Sequence, residues 1–136
     1  MNSEFFANLN VRIWDGVNEN KGKLRIPNQN ELRIIHYESC RGLESWSSAL
    51  MSLDEYFHFK RSSNEAGNHL SDDLFLVEEE RRDKYAALWC LMASTRSIYT
   101  LYIHLEKQDD PFTKKILEIA SFCSGITIKR PNAVLI

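Results

Sequence analysis

The chain has 136 residues, of which 43% are hydrophobic, 26% charged and 11% aromatic, and its 17 basic and 19 acidic residues give a formal charge of −2. A chain of this length supports one hydrophobic core, and the composition differs from the polar, aromatic-poor composition of disordered segments. The slightly negative charge disfavours nucleic acid as a partner, because a domain that binds many phosphates carries an excess of lysine and arginine. We therefore expect a single domain over residues 1–136.

The N-terminus and the cysteines predict the compartment. Residues 1–6 lack the basic stretch and following apolar run of a secretory signal, and no stretch approaches the length of apolar sequence that a transmembrane helix requires. Cys40, Cys90 and Cys123 are odd in number and far apart, as is typical of reduced thiols within a core. These features predict an intracellular, cytoplasmic protein with no membrane partner.

Two short segments near the N-terminus, residues 11–14 and 23–26, alternate polar and apolar residues. The residues between them include Asp15, Gly16 and Gly22, which are typical of turns. The pattern predicts a β-hairpin over about residues 9–26. An isolated hairpin is marginally stable, so we expect it to pack on a helix or to recruit the C-terminal tail.

Two helices are predicted next, over about residues 30–41 and 44–60. Asn28 or Asn30 can cap the first helix, and Gly42 can end it. The second helix carries large apolar residues at spacings of 4, 3 and 4, namely Trp46, Leu50, Leu53 and Phe57. It finishes with the basic residues His58, Lys60 and Arg61, which suit the negative end of a helix dipole. Residues 61–70 are polar and predict a surface loop.

Residues 71–108 contain neither glycine nor proline over 38 positions. Their apolar residues form two stripes at helical spacing, which are Tyr85, Trp89, Met92, Tyr99 and Ile103 and then Leu88, Leu91, Ile98, Tyr102 and Leu105. A helix that is apolar on two faces is buried on two sides, so we expect a central helix over about residues 72–107 with Trp89 and Met92 in the core. A straight helix of this length would span roughly 55 Å. We expect a break near residues 77–82, where the apolar stripe lapses.

The last helix is predicted over about residues 111–124, because Asp110 can cap it and Pro111 suits its first turn. Its expected buried face consists of Phe112, Ile116, Ile119 and Cys123. The predicted fold is therefore mainly α, a four- to five-helix bundle around a long central helix, with a minor N-terminal β-hairpin.

No motif predicts a catalytic, metal or cofactor site. The four histidines, His36, His58, His69 and His104, lack the histidine or cysteine neighbours of a zinc site, and no glycine-rich sequence could bind phosphates. Cys40 stands beside Arg41 but has no recognisable base, which favours an inert thiol. Arg96 falls on the predicted central helix, and we expect it to reach the rim, to pair with Glu38 or Asp54, or to line a polar pocket.

Six carboxylates fall within twelve residues and are the candidate partner-binding residues: Asp72, Asp73, Glu78, Glu79, Glu80 and Asp83. We call them the acidic run. One interpretation is the solvated start of a helix, where acidic residues suit the dipole and pair with basic residues four positions on. The other interpretation is a surface that binds a protein with a basic surface.

The leading functional hypothesis is a non-enzymatic protein-binding module, a small cytosolic inhibitor or adaptor such as a toxin-immunity protein. It rests on the small size, the acidic run and the lack of catalytic motifs. The second hypothesis is a small helical hydrolase or nuclease acting on nucleotides or RNA, with Arg33, His36 and Arg96 as its polar groups. The third is a homo-oligomer whose interface is an overlong helix. Convergence of His36, Arg96 and a carboxylate in a concave pocket would favour the enzyme.

Overall fold

The structure of the protein, a computed structural model, describes residues 12–17, 26, 28, 30–68 and 76–129. Contacts within the chain group it into two compact units, Met1–Ser45 and Trp46–Ile136. The first unit contains β1 (Arg12–Asp15), β2 (Glu31–Ile34) and a 3-10 helix (Tyr37–Cys40). The remaining elements are β3 (Ser45–Leu50), α1 (Leu53–Ser62), α2 (Asn64–Asn68), α3 (Glu78–Ser94), β4 (Ser97–Ile103) and α4 (Pro111–Phe122).

The predicted mainly α bundle is wrong. The described residues form four α-helices together with two parallel two-stranded sheets, β1 with β2 and β3 with β4, which is a mixed α/β architecture. None of these helices has the length and apolar character needed to cross a membrane, as far as the described ranges extend.

In the first unit β1 pairs with β2. The two strands run parallel, with Arg12 opposite Glu31 and Asp15 opposite Ile34, and the Gly16 N–H continues the ladder to the Ile34 carbonyl at 2.8 Å. The 15 residues between the strands are enough for the crossover that a parallel pair requires. The hairpin predicted over residues 9–26 did not anticipate this parallel partner, and its second strand lies almost entirely outside the described residues.

The predicted helices over residues 30–41 and 44–60 are each replaced in part by a strand. Residues 31–34 form β2, whose end is marked by the β-branched residues Ile34 and Ile35, which favour extended backbone. Residues 45–50 form β3, and α1 begins only at Leu53, after Ser52 in the left-handed region at φ 53°. The predicted loop over residues 61–70 is largely helical, since α1 continues to Ser62 and α2 follows.

The predicted central helix over residues 72–107 is also wrong. Its described part consists of α3, which ends at Ser94, and of β4, whose sequence Ser-Ile-Tyr-Thr-Leu-Tyr-Ile favours a strand. The polar residues from Ser94 to Ser97 interrupt the helix, and the Arg96 Nε donates to the Met92 carbonyl at 3.0 Å in its last turn. Residues 72–75 lie outside the described residues, and Leu76 and Val77 precede the helix.

The core of the second unit is formed mainly by α1 and α3. The buried apolar residues of this unit are Leu50, Leu53, Tyr56, Phe57, Ala66, Tyr85, Ala86, Cys90 and Ala93. Trp89 and Met92 are only partly buried, which corrects the expectation that they lie in the core. The Trp89 ring instead lies against the buried Lys60 ammonium, 4.2 Å from the ring centroid, in a cation–π contact.

A buried carboxylate holds the end of β4 against the start of α1. Asp54 is fully buried and accepts the backbone N–H of Glu106 at 3.0 Å and of Lys107 at 2.8 Å. Burial raises the pKa of Asp54, but these backbone hydrogen bonds outweigh it and leave the pKa below its ordinary value. The His104 N–H also donates to the Leu50 carbonyl at 2.8 Å, so the ends of β3 and β4 lie side by side.

We predict that Asp54→Ala lowers the free energy of unfolding by about 3 kcal/mol, because each buried N–H left without an acceptor costs about 1–3 kcal/mol. Asp54→Asn keeps one acceptor oxygen and should lose less. Urea denaturation measures both. Glu55→Ala, in the same helical turn but exposed, is the matched control and should change the value by less than about 0.5 kcal/mol. A loss below about 1 kcal/mol for Asp54→Ala would contradict this role.

The same carboxylate should make stability depend on pH. Because the pKa of Asp54 is lowered in the folded state, its contribution is complete above the unfolded pKa of about 3.9 and is lost as the pH falls through the folded-state pKa. The wild type should therefore lose more stability on acidification than Asp54→Asn does.

Candidate functional site

A cleft of about 640 Å³ lies among α1, α3 and α4 in the second unit. Its apolar lining residues are Phe57, Ala87, Pro111, Phe112, Ile116 and Ile119. Its polar lining residues are His58, Arg61, Asp83, Lys84 and Lys115. The cleft is therefore apolar with a mainly basic rim.

The N-terminus of α4 is fixed to α1 by two contacts beside this cleft. Asp110 caps α4, since its Oδ2 accepts the N–H groups of Phe112 at 2.9 Å and Thr113 at 3.1 Å. Its Oδ1 lies 2.6 Å from the His58 Nε2. An ionised carboxylate only accepts hydrogen bonds, so Nε2 carries the proton. The rings of Phe57 and Phe112 stack with their centroids 4.1 Å apart.

The electrostatic environment of Asp110 follows from these partners. Burial raises the pKa of Asp110, but the hydrogen bonds from His58 and from the Thr113 and Phe112 backbone lower it by more. The pKa of Asp110 therefore lies below its ordinary value. The sequence predicted the cap, because Asp110 precedes Pro111. It did not predict the contact with His58, because the two residues are 52 positions apart and no local pattern relates them.

One residue of the acidic run lies in the wall of this cleft. Asp83 lines the cleft and hydrogen-bonds to the Arg61 guanidinium, and the Arg61 Nη2 also lies 3.6 Å from a Glu79 carboxylate oxygen. The hydrogen bond and the charge of Asp83 raise the pKa of Arg61 above its ordinary value. These contacts connect the start of α3 to the end of α1.

The other described members of the acidic run also have partners within the chain. The Glu78 Oε1 accepts from Arg82 at 3.0 Å, four residues on, and the Glu80 Oε2 accepts from the Val77 N–H at 3.2 Å. Asp72 and Asp73 lie outside the described residues. Glu78 and Glu80 thus support the start of α3 locally, in the manner of the solvated-helix interpretation, whereas Glu79 and Asp83 pair with Arg61 on α1.

The three polar groups of the hydrolase hypothesis do not line the cleft. Arg33 and His36 are exposed residues of the first unit, and Arg96 belongs to the second. Arg96 donates to the Met92 carbonyl and to the Thr95 Oγ1, both at 3.0 Å, and Asp54, one of its expected partners, binds backbone N–H groups instead. The described residues include no group of three or more His, Cys, Asp or Glu that could hold a metal ion.

The sheet of the second unit presents a large apolar surface. Ile98, Tyr99 and Tyr102 have 59%, 84% and 64% of their surface exposed, and Ile103 is also exposed. Consecutive residues of a strand point to opposite faces. Ile98 and Tyr102 therefore lie on one face of β4 and Tyr99 and Ile103 on the other, and the described part of the chain leaves these side chains exposed on both faces. We call these four residues the β4 surface.

Comparison with known proteins does not assign the chain to a family. No family model, no curated protein and no solved structure is significantly similar to it.

We predict that Asp110→Ala lowers the free energy of unfolding by about 1–2 kcal/mol, because it removes both a helix cap and the partner of His58. Asp110→Asn retains the cap and should recover about half of this loss. The control is Asp109→Ala, since Asp109 is exposed and only lies 3.7 Å from the Lys114 ammonium. Thermal unfolding by circular dichroism measures all three, and equal effects at both positions would contradict the role of Asp110.

The cysteines should differ in reactivity. All three are free, but Cys123 is exposed, which corrects its expected place in a core, while Cys40 and Cys90 are buried. Burial raises the pKa of the Cys90 thiol to about 12, and the thiolate is the reactive form. A disulfide reagent at pH 8 should modify one thiol rapidly in the native protein and three in denaturant, and Cys123→Ser should abolish the rapid phase. Rapid modification of Cys123→Ser would show that a buried thiol is accessible.

Proposed function

We propose that the chain is a non-enzymatic protein-binding module, a small inhibitor or adaptor such as a toxin-immunity protein, that acts in the cytoplasm. The observation that supports this most is the β4 surface. Neighbouring exposed apolar residues are typical of protein interaction sites, and β4 carries one such pair on each of its two faces. Tyrosine, present in both pairs, is enriched at such sites. Tyr99 has 84% of its surface exposed, so little of its ring is buried within the folded unit. The three free cysteines suit a reducing compartment.

The strand edge supports the same proposal. Strands β3 and β4 are the only members of their sheet within the described residues, so the outer edge of β4 presents backbone N–H and C=O groups there. Two-stranded parallel sheets are unusual without cover on both faces. A partner strand can pair with such an edge while its side chains contact the exposed tyrosines. The proposed interface therefore combines backbone hydrogen bonds with apolar contacts.

We further propose that the partner has a basic surface and that the acidic run attracts it. Glu78 and Glu79 have exposed side chains, and their ion pairs with Arg82 and Arg61 lie at the surface. Such surface ion pairs contribute little to stability. The carboxylates remain exposed to solvent, and their charge can add to the field that acts on an approaching partner. Such a field changes the association rate more than the affinity.

The hydrolase alternative has weaker support. Hydrolysis requires a base, a nucleophile or a metal aimed at the substrate. His58 lines the cleft, but its Nε2 contacts Asp110, and the same carboxylate caps α4. This contact accounts for the pair as a structural link between two helices.

We predict that a photo-crosslinking amino acid in place of Tyr99 captures one discrete protein in the cells that produce the chain, because the β4 surface would be covered there. The matched control is the same amino acid in place of Phe122, whose surface is 83% exposed but which lies on α4. Gel separation and mass spectrometry identify the product. With the purified partner, Tyr99→Ser combined with Tyr102→Ser should weaken binding at least about tenfold, as hot-spot tyrosines do.

The outcomes distinguish the alternatives. The same products from both positions would contradict an interface at β4, and a product with twice the mass of the chain would assign the surface to a homo-oligomer. Both tyrosine substitutions should leave the urea midpoint unchanged, because the side chains are exposed. Glu79→Lys should slow association at low salt and have little effect at high salt, where the field is screened. Glu118→Lys, on α4, is the matched charge control.

A further inference from the structure

We propose that the cleft among α1, α3 and α4 binds a small amphipathic anion, meaning a ring system or acyl chain that carries one carboxylate, sulfonate or phosphate group. The site is separate from the β4 surface and does not depend on the proposed protein partner. Its volume of about 640 Å³ lies within the range of ordinary small-molecule sites, which is about 300–1,000 Å³.

The walls of the cleft favour an apolar body. Phe112 stacks on Phe57, and both rings line the cleft together with Ile116 of α4 and the small side chain of Ala87 on α3. Ile119 lines the same space and is 53% exposed, although the helix periodicity placed it on a buried face. An occupant would cover this face, and the burial of apolar surface favours binding.

The rim favours a negative charge. Three basic side chains, Arg61, Lys84 and Lys115, line the cleft with one carboxylate, Asp83, so the lining carries a formal charge of +2 with His58 neutral, within a chain of −2. Asp83 is bound to Arg61. Lys115 has no acidic partner among the described residues, whereas the neighbouring Lys114 lies 3.7 Å from Asp109.

The backbone around the cleft favours a small molecule over a peptide. All eleven lining residues belong to helices, whose backbone groups bond within the helix. At the first turn of α4, Pro111 has no N–H and the Phe112 N–H is bound to Asp110. The amide groups of a peptide would find few partners there, and burying them without partners is costly. A ligand with one charged group and an apolar body has no such requirement.

The test uses anilinonaphthalene sulfonate, a fluorescent amphipathic anion, and phenylnaphthylamine, which has the same ring system without the charge. We expect one site per chain for the sulfonate and displacement of it by dodecanoate. Ala87→Phe should fill the cleft and weaken binding of both probes at least tenfold, with Ala87→Leu as a second, smaller filling variant. Lys115→Gln should weaken binding of the sulfonate by about threefold, the usual size of an exposed charge contact, and leave the neutral probe unchanged.

The controls decide where the probes bind. Lys114→Gln should have no effect on either probe, and Tyr99→Ser should leave the sulfonate bound, since it alters only the β4 surface. Circular dichroism and urea midpoints establish that each variant is folded. The proposal is wrong if folded Ala87→Phe and Ala87→Leu both bind the sulfonate as the wild type does, if Lys114→Gln and Lys115→Gln weaken it equally, or if an acidic apolar peptide displaces it and dodecanoate does not. None of these results bears on the cross-linking at β4.

Discussion

The buried Asp54 carboxylate is the contact on which the second unit depends. It binds the backbone N–H groups of Glu106 and Lys107, and so it fixes the connection between β4 and α4 to the first turn of α1. One face of α1 then makes every contact that follows, because residues 54, 57, 58 and 61 are spaced by three and four positions. Phe57 stacks on Phe112, His58 contacts Asp110 and Arg61 binds Asp83. The position of α4, and hence the existence of the cleft, follows from this single stripe of side chains.

The other side of α1 packs into the core of the second unit. Leu53, Tyr56 and Lys60 are buried toward the core that α1 shares with α3, with the Lys60 ammonium against the Trp89 ring. Five of the ten residues of this helix are thus buried, and Asp54 is among them as a charge. Its hydrogen bonds come from backbone groups that would otherwise also lack partners.

The sequence predicted the parts of the fold whose signals are local and failed where spacing was ambiguous. Helix α4 was predicted because a cap and a proline specify its start without reference to other elements. The apolar pairs Tyr99 with Ile103 and Ile98 with Tyr102 are four residues apart, and so are Trp46 and Leu50. Four is an even number, so each pair lies on one face of a strand as readily as on one face of a helix. Only the β-branched and aromatic composition of residues 97–103 separates the two interpretations. Because residues 71–108 contain no glycine or proline, no helix-breaking residue indicated that the helix ends before this strand.

The candidate sites show the same division between local and long-range information. The acidic run is a local pattern, and its described members have partners on α3 or on α1, which leaves less of its charge for another molecule than a count of carboxylates suggests. The cleft and the β4 surface arise from residues that are far apart in the chain or from side chains that nothing in the described structure covers. An apolar residue at helical spacing is ordinarily assigned to a core, as Ile119 was, yet this side chain is half exposed and lines the cleft. Both sites proposed for this chain therefore rest more on exposed apolar surface than on a count of charges.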